Sequence, residues 1–306
     1  MMAKPKILYL AGWGRSGSTL LCRTLGEIDG WLAVGELRSV WDLGVVRNSL
    51  CGCGEEFHRC AFWVAVFDRA FGGMDAAFAK RMMGLADRLH TWHLLALPDP
   101  WIKRRVGTAM SDYVAALEQL YAAIHAVSGA RVIVDSSKMP AYGYALDQLE
   151  GGELHVGHLV RDPRACAYSW MKRQKQQPFG RMKAIGPVRN SLQWVQRNQT
   201  IRRTWGRNPA RYRMIRYEDF IHDPLAAVRS LAAFAGDAGA DLSFLDRDAV
   251  LLGTSHMAAG NPNRFDVGQI VLRHDTQWRA GLSGRDQATV RLLSRPWLKA
   301  YGYIAG

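Results

Sequence analysis

The stretch that most constrains this chain is Ile7–Leu21, ILYLAGWGRSGSTLL. Four apolar residues, Ile7 to Leu10, read as a buried strand, a glycine-rich turn follows, and Ser18-Thr19 open a helix. Gly12, Gly14 and Gly17 permit backbone angles and a close ligand approach that side chains would block. Such a turn aims backbone N–H groups and a helix N-terminus at one point, which suits phosphate oxygens. The spacing nearly matches Walker A: Gly12, four residues, Gly17, then Thr19 in the final hydroxyl position. The lysine is missing; Ser18 stands in its place and the cation has moved forward to Arg15. In nucleoside triphosphatases that lysine reaches the β/γ-phosphates and the next hydroxyl holds Mg²⁺. The motif therefore points to a cradle for a nucleotide other than ATP or GTP. A glycine-rich turn that binds nothing is the competing reading.

A chain of 306 residues suits a single α/β domain with insertions. Its 40 basic and 27 acidic residues give a formal charge of +13. That excess fits an anionic ligand, an acidic substrate, nucleic acid, a membrane surface, or simply a basic solvated exterior. The opening MMAKPKILYLAGWG lacks the apolar core of a signal peptide. No run approaches the roughly 18 apolar residues of a membrane-spanning helix. The expectation is a soluble, cytoplasmic protein with no transmembrane segment. Five cysteines, Cys22, Cys51, Cys53, Cys60 and Cys166, do not form the pattern of a secreted disulfide framework.

Further along, the pattern predicts a helix over 18–29, a short extended segment at Val34-Gly35-Glu36 and an irregular loop over 47–60. Helical spacing recurs over 61–97 and 106–127, broken by Pro98 and Pro100. This block, about 40–128, is expected to be a helical insertion or lid. Strands are predicted at 131–135, 154–160 and 212–216, the apolar run LHVGHLV suiting a parallel sheet covered on both faces. Helices are predicted over 141–148, 187–205, 224–236 and 285–294, with another capped by Asp162 and carrying Pro163 at its first position. The alternation predicts an α/β chain, 1–306 as one domain: a P-loop-like three-layer fold with a central, mainly parallel sheet flanked by helices.

A second anion signal is VRDPRACAYSW. Arg161 ends a predicted strand, where open α/β sheets bind ligands. Its planar fork suits a phosphate, and Ser169, about two helical turns past the cap, adds a hydroxyl. Alone, the pair reads equally as a surface arginine and a helical serine.

Together the two motifs resemble the sulfotransferases that use 3′-phosphoadenosine 5′-phosphosulfate (PAPS), in particular their bacterial branch. Arg15-Ser16-Gly17-Ser18-Thr19 is similar to that family's [KR]-S-G-[ST]-[ST] loop for the 5′-phosphosulfate, and Arg161 with Ser169 to its 3′-phosphate pair. Tyr217-Glu218-Asp219 resembles a Y-E-D segment near the nucleotide. Gly35-Glu36-Leu37, the D-S-S-K-x-P run from Asp135 to Pro140, the C-G-C-G of Cys51 to Gly54, and the G-N-P-x-R-F of Gly260 to Phe265 resemble segments of the bacterial branch. The resemblance runs from about residue 6 to the C-terminus. It departs from the cytosolic animal enzymes at Arg15, usually lysine, at Leu20, usually an adenine-stacking tryptophan, and in lacking a late R-K-G-x-x-G.

The resemblance implies sulfuryl transfer from PAPS to an acceptor, with adenosine 3′,5′-bisphosphate (PAP) as product and no metal expected. The implied nucleotide-binding set is Arg15, Ser16, Gly17, Ser18, Thr19, Arg161, Ser169 and Tyr217, with Arg264 as a second cation for the 3′-phosphate. Arg15 and the loop N–H groups would neutralise the leaving phosphate. Glu36 is the first candidate for general base, Lys138 the second or an electrophile toward the sulfonate, and His256 a third. Each has a plain structural alternative: a salt bridge, a surface lysine, a core histidine.

Cys51-x-Cys53 with His58 and Cys60 invites a zinc reading, but the spacing is tight and no second pair follows. A loop packed on itself is the preferred reading. Trp92, Trp101, Trp194 and Trp205 read as core. The basic run 172–189 reads as a mobile loop, either closing over a ligand or merely solvated. Two other functions remain at this stage: a P-loop nucleotide kinase or NTPase, against which Ser18 speaks, and a basic nucleic-acid-binding protein, for which no recognition motif is found. Accordingly no nucleic-acid partner is expected. The acceptor, whether small molecule, lipid or glycan, and the oligomeric state are not legible in the sequence.

Overall fold

Strand β1 (Lys6–Gly12) lies at the centre of a five-stranded sheet. Its side chains alternate between two cores: Ile7, Tyr9 and Ala11 face one, Leu8 and Leu10 the other. Successive strand residues point to opposite faces, so a strand buried on both reads as an unbroken apolar run. That is why ILYL carries no polar residue. The computed structural model describes residues 4–88, 90–91, 94, 100–172 and 184–304.

The other strands are β2 (Trp31–Gly35), β3 (Val132–Lys138), β4 (Glu153–Val160) and β5 (Tyr212–Arg216), in the order β2-β3-β1-β4-β5, all parallel. One face is covered by α1 (Ser18–Gly26), α8 (Tyr217–His222) and α9 (Pro224–Phe234), through residues such as Leu21, Leu25, Phe220 and Leu231. The other face carries α2 (Ala61–Phe71), α3 (Ala76–Asp87), α4 (Pro100–Ser128), α5 (Pro140–Leu146) and α7 (Pro187–Trp205). Trp63, Tyr113, Tyr142 and Ile201 from these helices join one core with Ile7 and Tyr9. Helix α6 (Pro163–Met171) follows β4, with Asp162 Oδ1 accepting from the Arg164 N–H at 2.8 Å as its cap. A β6–β7 hairpin (Ala249–Leu252 and Gly268–Val271), α10 (Trp278–Gly281) and α11 (Gly284–Ala300) complete the chain.

The three-layer α/β expectation therefore holds. Strands 154–160 and 212–216 and the helix 187–205 agree with the structure to within a residue. The loop expected over 47–60 contains a short Leu50–Glu56 bridge and one turn of helix, Phe57–Arg59, and the hairpin β6–β7 had no sequence signal. Trp194 and Trp205 are core, as expected. Trp92, the side chain of Trp101, and most of the basic run 172–189 lie outside the described residues.

Parallel strands put all their carboxyl ends along one edge, and this orders the molecule. The chain moves from β1 to one side for β2 and β3, then to the other for β4 and β5, making β1 the switch point where such sheets bind ligands. The β1–α1 turn there is tight. Gly17 has φ +86°, and a Cβ on it would lie 2.3 Å from the Tyr217 ring. Gly17→Ala is expected to cost about 1–3 kcal/mol of folding stability, since strain and collision coincide. Urea denaturation measures this; unchanged stability would show that the ring does not pack on the turn.

Candidate functional site

Every residue singled out at the end of a predicted strand converges on that carboxyl edge. Arg15 follows β1, Glu36 follows β2, Lys138 ends β3, Arg161 follows β4 and Tyr217 follows β5. Separations of up to about 200 residues in sequence collapse because the sheet is parallel.

Arg15 itself adopts φ +68°, unusual for a residue with a side chain. Its Nε donates to Ser169 Oγ at 2.9 Å and its Nη1 to Asn261 Oδ1 at 2.6 Å. Arg161 donates from Nη1 to the Arg15 carbonyl at 2.8 Å and from Nη2 to Asp275 at 2.7 Å. The Arg161 guanidinium also lies 4.5 Å from the centre of the Tyr217 ring. Thr19 Oγ1 accepts from the Asn261 N–H at 3.3 Å. The first loop, the Arg/Ser pair and the late GNPNRF segment are thus one bonded unit.

These groups line a cleft of about 280 Å³ bounded by Arg15, Gly17, Leu20, Arg161, Tyr217 and Asn261. Arg161 and Tyr217 also wall a neighbouring cavity of about 560 Å³ that Arg164, Arg216 and Arg279 enter. Burial, and then the adjacent Arg161 charge, lower the Arg15 pKa from its ordinary value. Burial also works against the charged form of Arg161, but its surroundings, including Asp275, outweigh that and raise its pKa. A half-buried and a buried like charge lining one cleft favour an anion beside them. Ser16 Oγ is buried at 1% exposure and has no hydrogen-bond partner. An orphaned hydroxyl inside a glycine-rich turn fits an oxyanion acceptor. Ser18 and Thr19 sit in the first turn of α1, both buried.

Glu36 and Lys138 meet on the β2–β3 side of the cleft: Lys138 Nζ is 2.6 Å from Glu36 Oε1. Lys138 has φ +66° and also donates to the Ser136 carbonyl at 3.0 Å. The Glu36 N–H donates to the Ala259 carbonyl at 3.0 Å, two residues before Asn261, which holds Arg15. The two candidates for base are therefore partners, not alternatives on separate sites.

Two expectations need correction. Arg264 does not join Arg161. It is buried at 6% exposure, donates to the Gly260 and Leu50 carbonyls at 2.8 and 3.3 Å, and stacks on Phe265. With both terminal nitrogens on main-chain carbonyls, this guanidinium tethers a loop. His256 is not at the cleft as a base: its ring stacks on Phe62 and its Nδ1 lies 3.3 Å from Cys60 Sγ. Sequence reasoning also missed two residues. Asn261 bridges Arg15 and Thr19 from within a motif in which the arginine drew the attention, and Asp275 had no signal.

The family model for the sulfotransferase family matches residues 8–238. Among solved structures, the chain is similar to the sulfotransferase domain of the Synechococcus PCC 7002 olefin synthase, with 17% identity, TM-score 0.53, and 99% of this chain and 97% of that one covered. The sulfotransferase domain from the curacin biosynthetic pathway aligns with 17% identity and TM-score 0.49 over 96% of this chain and 99% of that one. At these identities the first likeness shows the fold alone. No curated protein matches the chain in sequence. Among the described residues, no helix is long and apolar enough to cross a membrane.

A buried network lies within β3, just before Lys138. Asp135 accepts from the Ser137 N–H at 2.7 Å and from the Tyr121 hydroxyl at 2.5 Å. Burial pushes its pKa up to about 6, against those hydrogen bonds. A carboxyl raised in the folded state binds its proton more readily there than when unfolded. Its penalty is therefore full above about pH 6 and fades as pH falls toward 4. Relative to Asp135→Asn, the wild type should gain on the order of 2 kcal/mol across that window. Denaturant midpoints of the two proteins at a series of pH values check this; a constant difference would remove Asp135 as the titrating group.

Proposed function

The chain belongs to the sulfotransferase family, and on that premise we propose that it moves a sulfuryl group from PAPS to an acceptor hydroxyl by in-line displacement. The observation that carries the proposal is the bonded unit of Arg15, Ser169 and Arg161 around a turn holding an unpartnered buried hydroxyl, Ser16. A donor with phosphates at both the 5′ and 3′ positions needs a cation for each, and the cleft lined by Arg15, Arg161 and Ser169 supports that reading.

In this reading the turn N–H groups of 14–18, the Ser16, Ser18 and Thr19 hydroxyls and the Arg15 guanidinium hold the 5′-phosphosulfate. Arg161 and Ser169 hold the 3′-phosphate, while Leu20 and Tyr217 flank the nucleoside. The acceptor oxygen attacks sulfur, the bond from sulfur to the phosphate oxygen breaks, and PAP leaves with its new charge met by Arg15 and the turn. Glu36 takes the acceptor proton and passes it to solvent. Lys138, already paired with Glu36, orients that carboxylate and offers its ammonium to the sulfonate oxygens. A sulfuryl group carries less charge than a γ-phosphate, so this transfer needs no Mg²⁺. We assign the acceptor to the β2–β3 side, where the base lies, with residues of about 40–128 as its cover within a single domain. Small molecules, lipids and glycans remain acceptors of the right chemistry.

Calorimetric titration with PAP tests the assignment. Wild-type protein should bind, and Arg15→Ala and Arg161→Ala should each weaken binding at least about tenfold, the loss of a charge-assisted pair; a wild type that ignores PAP sinks the proposal. Asp275 competes with the 3′-phosphate for Arg161, so Asp275→Asn should tighten binding about two- to fivefold, the scale of a partly exposed charge pair. Glu36→Gln should leave PAP affinity intact and slow turnover about 10²–10⁴-fold; unchanged turnover would take the base role from Glu36.

A further inference from the structure

The CGCG segment and His256 find no use in the chemistry above, yet the fold brings them together. Cys51, Cys53, Cys60 and His256 place their sulfur and ring-nitrogen atoms all within 4.8 Å of one another. Cys53 and Cys60 sulfurs are 3.7 Å apart, and His256 Nδ1 lies 3.3 Å from Cys60 Sγ and 3.8 Å from Cys51 Sγ. A tetrahedral zinc with Zn–S of about 2.3 Å and Zn–N of about 2.0 Å sets S···S edges of about 3.8 Å and S···N edges of about 3.5 Å. Three of the six edges lie close to those lengths and all six are within 4.8 Å. We propose that Cys51, Cys53, Cys60 and His256 form a structural Cys₃His site for a single Zn²⁺.

The surroundings are those of a ligand shell. Cys51 and Cys60 are buried, at 0% and 1% exposure. The turn between Cys51 and Cys53 is a tight one: the Gly54 N–H donates to the Cys51 carbonyl and Cys51 N–H to the Glu55 carbonyl, with Gly54 at φ +90°. Cys60 immediately precedes α2, whose exposed first-turn N–H groups favour a thiolate there. Phe62 stacks on the His256 ring at 5.1 Å, and the Trp63 indole donates to the His256 carbonyl at 2.9 Å, fixing the imidazole's plane. His58, the histidine nearest in sequence, is turned away: its Nε2 lies 2.9 Å from the Val45 carbonyl. The sequence pattern set His58 beside the cysteines; the fold sets His256 there instead, from about 200 residues away. A redox pair would use two sulfurs and leave the third cysteine and the imidazole without a part.

Binding exchanges three thiol protons for the metal, with no change of oxidation state, and the protons go to solvent. All four ligands are protein atoms, so the site has no open position for catalysis. What it joins is the 50–60 loop and the strand-like segment 256–261. That segment pairs with β2 (Ala258 N–H to the Val34 carbonyl, Glu36 N–H to the Ala259 carbonyl) and ends at Asn261, which holds Arg15. The metal would clip the 50–60 loop to the segment that pairs beside Glu36 and carries Asn261.

The test uses the whole chain, purified without added metal. Elemental analysis should find about one zinc per chain, and cobalt exchanged into the site should give the visible bands and thiolate charge transfer of a tetrahedral thiolate complex. His58→Ala should keep the metal; Cys53→Ser and His256→Ala should lose it or bind it far more weakly. Should those variants fail to fold, the wild type alone decides. Chelator treatment should release the zinc and speed hydrogen exchange at the amide of Gly52, which donates to the Met257 carbonyl across the joined segments. Substoichiometric zinc together with no cobalt spectrum, a Cys53–Cys60 disulfide in the purified protein, or loss of metal on His58→Ala would each overturn the proposal. None of these readouts depends on PAPS.

Discussion

The fold places two arginines in one small volume and leaves each dependent on the other's surroundings. Arg161 holds the β1–α1 turn by the carbonyl of Arg15, and Arg15 reaches across to Ser169 and Asn261. Like charges brought together under partial burial raise the energy of the empty arrangement, and an anion lowers it. The backbone is strained at the same point: Arg15, a residue with a side chain, has φ +68°. Such strain persists only where the surrounding structure over-determines it, as Tyr217 against Gly17 and Trp170 against the Gly14 carbonyl do here.

The parallel sheet explains why so many distant residues meet. With every carboxyl end on one edge, each crossover delivers one side chain to the same cleft: a cation after β1, an acid after β2, a lysine at the end of β3, a second cation after β4 and an aromatic ring after β5. Charge is divided along that edge. The arginines gather on the β1–β4 side, while Glu36 and Lys138 neutralise each other on the β2–β3 side. In the proposed reaction this division would bring donor and acceptor in from different sides, as an in-line transfer requires.

The segment 256–261 links these halves. It pairs with β2 beside Glu36, carries Asn261 to Arg15, and is anchored on its far side by His256, Arg264 and Trp63. Arg264 and His256 were attractive as site residues because of their chemistry. The structure gives both of them work behind the site, on carbonyls and sulfurs, where they fix the position of a neighbour.

The sequence alone determined the layers of the fold and marked the candidate anion-binding elements. Continuous apolar runs, a glycine spacing and a capped helix after Arg161 are local features, set by backbone sterics and burial over a few residues. Tertiary structure decided which of the marked residues share a space. The Glu36–Lys138 pair, the Arg161–Asp275 competition, Asn261 against Arg15, and His256 in place of His58 among the cysteines all join residues about 90 or more positions apart, apart from the cysteine loop itself. Such partners are selected by strand order and by crossover paths, which no periodicity in the chain encodes.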